Sequence, residues 1–231
     1  NNIVAAGGII KSISLSSQQE LIAKIMNHPM AFGFASFRTT RKLLLVDSVY
    51  LGAYKRDKCL EILGENNWFE TSFKGISEDS ELNYRLRKGG GKIICDPSII
   101  SFHYPRESIN GYKKLCLNYG RGKAYFFIKH FKLTALRQLI AIILPFIQII
   151  LVIFSFYKSF LIVPFLAFFS VYFYLIIIGI DRENIFSKRL KIFLGILIGH
   201  LSWFYGFYKT LINYILKKFL KLFLSKIIRN S

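Results

Sequence analysis

An α/β unit followed by an all-helical membrane anchor is the fold class that the sequence predicts. Three observations predict it. Most charged residues lie before about Lys132, long apolar blocks follow, and the first part mixes helical patterns with short β-branched runs. A mean hydropathy of +0.38 with 53% hydrophobic residues is high for a soluble chain.

In the first part, residues 1–41 are rich in small side chains, and Gly7-Gly8 reads as a turn. A helix is expected over residues 18–27, with Leu21, Ile22 and Ile25 on one face and Pro29 ending it. Residues 43–50 read as a buried strand that encloses Asp47 and enters a tight turn at Gly52-Ala53. Residues 56–63 read as a short helix stopped by Gly64. Ser77 then stands before Glu78 and Asp79 at the head of another helix. In it Leu82 and Leu86 share a face, Glu81 is spaced to pair with Arg85, and Gly89-Gly90-Gly91 closes the element. Two strands, 92–95 and 99–104, are expected on either side of Asp96-Pro97, and Pro105 ends the second. A basic, aromatic helical segment from Ser108 to about His130 leads to the anchor.

The apolar blocks cover residues 139–156, 160–180 and 192–216. Each is long enough for a hydrocarbon core of about 30 Å. The third is the most polar, with His200, Ser202, Lys209 and Asn213. Lys129, Lys132 and Arg137 precede the first block, Arg182, Lys188, Arg189 and Lys191 separate the second from the third, and only Lys158 lies between the first two. The positive-inside rule then puts the N-terminal unit and the second loop in the cytoplasm. A third crossing would put Lys217, Lys218, Lys221, Lys226 and Arg229 outside, against the same rule. The stripe Lys217, Lys221, Ser225 and Arg229, opposite Phe219, Leu220, Phe223 and Ile227, suits an interfacial helix. Three crossings are favoured over two with a re-entrant or interfacial segment. The expected units are residues 1–130, a helical region 131–216 with two to three spans, and a basic amphipathic tail 217–231.

A net charge of +19, from 32 Lys plus Arg against 13 Asp plus Glu, calls for an anionic partner. Membrane lipids and phosphorylated substrates are expected. Nucleic acid is not, because zinc-finger spacing and aromatic RNA-binding motifs are absent and the basic residues crowd the apolar blocks. Cys59, Cys95 and Cys116 are odd in number and have no C-x-x-C spacing, as in reduced proteins facing the cytosol. A chain that opens at Asn1, with no signal-peptide pattern, is expected to be a fragment.

The run Ser77-Glu78-Asp79, Glu81-Leu82, Arg85-Leu86-Arg87, the glycine cluster, Lys92-Ile93-Ile94 and Asp96-Pro97 resembles the E-D signature and following helix of family-2 glycosyltransferases. Val46-Asp47-Ser48-Val49 with Gly52-Ala53-Tyr54 and Arg56, His103-Tyr104-Pro105-Arg106 with Ser108, and Tyr119-Gly120-Arg121-Gly122-Lys123 look like the membrane-bound branch related to succinoglycan-synthesis transferases. The resemblance covers about residues 7–145.

The resemblance implies the acceptor-side half of a GT-A (Rossmann-like) domain. It further implies inverting transfer of a sugar from a nucleotide-sugar donor to a lipid-linked saccharide acceptor, in exopolysaccharide or cell-envelope synthesis. The place would be the cytoplasmic side of a bacterial inner membrane. Asp79 would be the base and Glu78 its support, a role that needs a carboxylate within about 3 Å of the acceptor hydroxyl. The competing role is that both acids stabilise a helix N-terminus.

His103 would bind metal or diphosphate, or serve as a structural hydrogen-bonding residue. Arg106 would meet diphosphate or stay solvated. Asp47, costly if buried unpaired, would be acceptor-side or architectural. Trp68 and Phe69 would stack on sugar or pack in the core. Leu115, Asn118 and Tyr119 stand where processive relatives carry Q-x-x-R-W, so processive polymerisation is not implied; Arg121 and Lys123 would meet diphosphate, lipid headgroups or the membrane surface. A divalent metal, Mg or Mn, is implied, yet the D-x-D that would hold it is absent, and this chain alone is expected neither to bind donor properly nor to turn over. The rivals are a non-enzymatic membrane subunit of a polysaccharide assembly and a transporter. Against the second stands the small number of charges within the apolar blocks.

Overall fold

The structure, a computed structural model, describes residues 2–65, 68–73, 76–133, 136–178 and 186–229. Strands β1 (Ile3–Ser12), β2 (Leu44–Leu45), β3 (Tyr50–Tyr54) and β4 (Lys92–His103) form one mixed sheet in the order β2-β4-β1-β3. β1 and β4 run parallel, and the outer pairs are antiparallel. The helices are α1 (Ser17–Asn27), α2 (Ser36–Thr39), α3 (Arg56–Leu63), α4 (Glu78–Lys88), α5 (Ile109–His130), α6 (Leu136–Ser155), α7 (Ile162–Ile178) and α8 (Phe186–Arg229).

Central β1 is buried along most of its length, as a strand covered on both faces should be. Val4, Ala5, Ile9, Ile93 and Cys95 meet Cys59 of α3 and Leu82 and Leu86 of α4 in one core. A second core joins α1, α5, α7 and α8 through Ile22, Ile25, Tyr112, Ile176 and Ile196. The local signals at α3 and α4 work as expected: Gly64 caps α3 with φ of 78°, and Glu81 pairs with Arg85 across one turn of α4.

Three local expectations are corrected. Gly7-Gly8 is no turn but part of β1, and residues 92–103 are one strand rather than two. Gly7 pairs with Cys95 and Ile9 with Ile100, so β4 takes five steps where β1 takes two. The surplus bulges over Gly8, where any Cβ would collide with the Ile99 carbonyl. Asp96 Oδ1 accepts from the Ser98 amide (2.9 Å) and hydroxyl (2.7 Å) inside the bulge, and Pro97 costs no ladder bond there.

Residues 43–50 are not one buried strand either. Only Leu44–Leu45 and, as the first residue of β3, Tyr50 join the sheet; Leu43 and Leu45 are exposed, and Val46 and Val49 turn into the core. Gly52 and Ala53 lie within β3 because Val49 fills the hollow they leave: a Cβ on Gly52 would stand 2.8 Å from Val49 Cγ2, and one on Gly7 2.7 Å from Val49 Cβ.

The third concerns the tail. α8 is a single 44-residue helix that does not break at Leu216. Three segments, Gln138–Ser155, Ser159–Ile178 and Phe186–Phe223, are long and apolar enough to cross a membrane. They differ in what covers them: in the last, 44% of an apolar 18-residue window is buried inside the protein, against 0% and 6% of the corresponding windows in the others. Ile192, Phe193, Ile196 and Phe207 of α8 are buried on the α/β unit, whereas Ile212, Ile215, Leu216 and Phe219 are exposed. The apolar character of the third block is therefore used for docking in its first half and left as an exposed apolar surface beyond it. Arg182 lies outside the described residues, as do the side chains of Arg137, Lys226, Ile227 and Arg229.

Two histidines fasten the 3-10 turn Pro29–Phe32 to the anchor. His28 Nδ1 accepts from the Met30 amide (3.1 Å), so its proton sits on Nε2 and is donated to the Ile176 carbonyl of α7 (2.9 Å). His200 of α8 donates from Nε2 to the Met30 carbonyl (2.9 Å), leaving Nδ1 to accept from Tyr172 (2.7 Å). Burial lowers the pKa of His28 below its ordinary 6.5, with the bond to Ile176 opposing the shift. A lowered base loses stability as pH falls: the latch is intact above pH 6.5 and weakens as pH drops through the folded-state value. Protection of the α1 and 30–32 amides against hydrogen exchange, relative to their intrinsic rates, should fall between neutral and mildly acidic pH, and His28→Asn should flatten that dependence.

Candidate functional site

α4 begins at Ser77, which adopts a left-handed conformation (φ 62°) and, among the described residues, supplies no side-chain cap. The helix start is stabilised instead by Glu78, Asp79 and Glu81 in the first turn, where the macrodipole favours anions. These acids have divergent fates. Glu81 is fully buried and accepts from Arg85 Nε (2.9 Å), His130 Nε2 (3.1 Å) and Lys129 Nζ (3.3 Å). Arg85 also donates to the Trp68 carbonyl, and Lys129 also pairs with Glu70. Those bonds from Lys129, and after them Ser72, pull the Glu70 carboxyl down to about 2. Glu78 is half-buried, and Asp79 is exposed with its Oδ1 accepting from the Ser80 amide (2.7 Å).

Asn83, on the buried face between Leu82 and Leu86, ties α4 to the segments around Asp47 and Tyr54. It accepts from the Tyr54 hydroxyl (3.0 Å) and donates to Ser48 Oγ (2.9 Å). Burial raises the Tyr54 phenol above its ordinary value; the Asn83 bond opposes the rise and the nearby Asp79 charge adds to it. Asp47, half-buried in the bend before β3, is not an isolated carboxylate.

The other wall is α5. Gly122 lies against Ser77, so close that a Cβ would run into its hydroxyl, and Gly120 lies against the Trp203 carbonyl of α8. Two residues along a helix is a rotation of about 200°. The two glycines therefore face opposite sides, one toward the E-D turn and one toward the anchor. Arg121 between them is half-buried and donates to Asn118 (3.4 Å). Tyr119 packs edge-on against Phe32 (6.0 Å). Its phenol is raised, by burial first; Arg38 acts against that rise, and Cys116 and Asp79 add to it.

His103, at the end of β4, meets the Tyr50 ring edge-on (6.4 Å). Its Nδ1 is buried and has no partner among the described residues. Its pKa is lowered by burial and then by Arg38 and Arg106, the latter exposed. Trp68 is not in this group: it is half-buried behind α4 against the sheet core, and its Nε1 donates to the Gly64 carbonyl (3.2 Å).

Over 123 residues, 52% of this chain, the sequence is 32% identical to a dolichyl N-acetyl-alpha-D-glucosaminyl phosphate 3-beta-D-2,3-diacetamido-2,3-dideoxy-beta-D-glucuronosyltransferase of Methanococcus voltae. Over 64 residues, 28% of this chain, it is 38% identical to the succinoglycan biosynthesis protein ExoA of Rhizobium meliloti (strain 1021). In these matches the chain resembles family-2 glycosyltransferases. The matches span 36% and 19% of the two relatives' lengths. No family model matches the chain, and no solved structure matches it.

Among the described residues, Asp79, Glu78, Tyr54 and Tyr119 come to one region and His103, Arg106, Arg38 and Tyr50 to another. Tyr119 lies between, within electrostatic reach of both Asp79 and Arg38. Among the described residues no three His, Cys, Asp or Glu side chains converge on a metal. His103 would be a single ligand standing near two guanidinium groups, so the residues present do not by themselves fit a divalent cation.

Sequence reading missed Asn83 and Arg38. Asn83 was legible as a polar residue on an apolar helix face; Arg38 looked like any surface arginine. Replacing Glu81 by Gln should cost about 3 kcal/mol of unfolding free energy, the scale for breaking a buried ion pair, and should appear as a lowered thermal midpoint.

Proposed function

We propose that the intact protein is an inverting glycosyltransferase of GT-A type, anchored in the cell membrane with its catalytic part on the cytoplasmic side. It moves a sugar from a nucleotide-sugar donor to a lipid-linked saccharide in envelope or exopolysaccharide synthesis. The observation that carries this reading is the exposed Asp79 carboxylate on a helix whose buried acid, Glu81, is wholly committed to structure. Glu81 locks the helix and leaves Asp79 for chemistry.

In the reaction, Asp79 takes the proton of the acceptor hydroxyl as that oxygen forms its bond to the anomeric carbon. The bond from that carbon to the nucleoside diphosphate breaks on the opposite face, inverting the centre. Glu78 supports Asp79, Asp47 shapes the acceptor side, and Arg106 and Arg121 are the cations offered to phosphate. The likeness to one protein named for transfer to a dolichyl-phosphate-linked sugar and one named for succinoglycan biosynthesis, and the contact of α5 with both Ser77 and α8, support an acceptor delivered from the membrane. A divalent metal, Mg or Mn, is part of the proposal only as the ion that family members use; no step here passes through it.

In the intact protein Asp79→Asn should lower sugar transfer by about 10²–10⁴-fold, the usual worth of a general base, with donor binding retained. Turnover near the wild-type rate would remove Asp79 from this role. For topology, a cysteine placed at Lys158 should be labelled from outside the cell and one at Lys188 should not; the reverse result would invert the proposed orientation.

A further inference from the structure

The surroundings of Arg38 are aromatic and neutral rather than acidic. It lies within α2, and its guanidinium lies 4.4 Å from the centre of the Phe32 ring. One nitrogen, Nη1, donates to the Met26 carbonyl at the end of α1 (3.2 Å). Nε is buried and, among the described residues, has no partner. No carboxylate pairs with this side chain among the described residues; the groups near enough to act on it are the phenols of Tyr119, Tyr112 and Tyr50. A guanidinium does not deprotonate in proteins, so the cation persists without a counter-charge.

The free groups have a shape. A ring against the planar face leaves the edges of a guanidinium as its hydrogen-bonding sites, and Nε with Nη2 forms the side-on fork that matches two phosphate oxygens. His103, with its unpartnered Nδ1, and Arg106 lie on the same side of the fold. Position separates the two possible sources of a phosphate. Phe32 ends the turn that His28 and His200 fasten to α7 and α8, so Arg38 is one side chain removed from the junction with the anchor.

We propose that Arg38 is the principal contact for the phosphate of a membrane-borne, lipid-linked acceptor, held side-on through its unpaired Nε edge. This rests on the glycosyltransferase reading for the word acceptor, but not for the phosphate site. It makes Arg38 a binding residue that holds the lipid phosphate while the sugar hydroxyl farther along the acceptor reaches Asp79.

The test uses the intact protein in detergent with three probes: a polyprenyl phosphate, the same polyprenol without phosphate, and uridine diphosphate. Arg38→Gln should weaken polyprenyl phosphate binding by about tenfold or more, the scale of a lost charge-assisted hydrogen bond, and leave the other two unchanged. Arg38→Lys, which can keep the Met26 contact but not the fork, should bind the lipid phosphate less well at an unchanged Tm; if Arg38→Gln does not fold, this variant decides, and wild-type affinity in it overturns the site.

Unchanged lipid phosphate binding in Arg38→Gln also overturns the site. Loss of uridine diphosphate binding alone overturns the lipid source and assigns the arginine to the donor. Equal loss of all three probes with a lowered Tm overturns the site in favour of a structural tie between α2 and α1. Sugar transfer is measured alongside. A wild type that binds the lipid phosphate through Arg38 but transfers nothing refutes the glycosyltransferase reading and leaves the site standing. Transfer by Arg38→Gln with an unchanged KM for the lipid refutes the site and leaves the reading standing.

Discussion

Helix α5 has to be thin in two directions at one level, and the arrangement of the molecule follows from how it achieves this. Gly120 admits the backbone of α8 at Trp203, and Gly122, on the opposite side, admits Ser77 at the start of α4. Gly206 repeats the device from α8, lying against the Leu117 carbonyl. Glycine inside a helix costs roughly 1 kcal/mol relative to alanine. Close approach of backbones, with the packing it permits around Phe207 and Tyr112, offsets that cost. The consequence is a single helix layer between α8 and the turn that presents Glu78 and Asp79.

Where the sequence reading succeeded, the determinants are local. Gly64 can end α3 because a left-handed residue is needed one position after the last helical one, and Glu81 meets Arg85 because residues four apart share a face. Where it failed, the determinants are contacts between distant segments. Gly7-Gly8 has turn composition, yet its glycines are required by Val49 and by the Ile99 bulge. Asp96-Pro97 looks like a break between strands, but a bulge over Gly8 absorbs it within one strand. The basic tail looks separable because its composition changes at Lys217, whereas nothing in the backbone interrupts α8 there.

The site divides in the same way. Asp79, Glu78 and Asp47 were legible as acids at informative places, since acids at a helix start or within an apolar run need a reason. Trp68 was legible only as an aromatic residue, and its hydrogen bond to Gly64 with its place in the sheet core accounts for it. Asn83 and Arg38 acquire meaning from what surrounds them. An asparagine becomes a clamp only once Tyr54 and Ser48 lie on either side of it, and an arginine becomes a candidate anion holder only when no carboxylate reaches it.

Separation of charge follows from these placements. A general base needs to keep its proton affinity, and a guanidinium paired with it would hold that affinity down. The cations nearest α4 are already engaged: Arg85 and Lys129 are drawn to buried Glu81. Arg38 lies beyond Tyr119, held by Phe32 and the Met26 carbonyl. The phenol between Asp79 and Arg38 can accept influence from both charges without transferring either. A carboxylate for the hydroxyl and a cation for phosphate can then serve the same acceptor at two points without neutralising each other, which a direct ion pair between them would forbid.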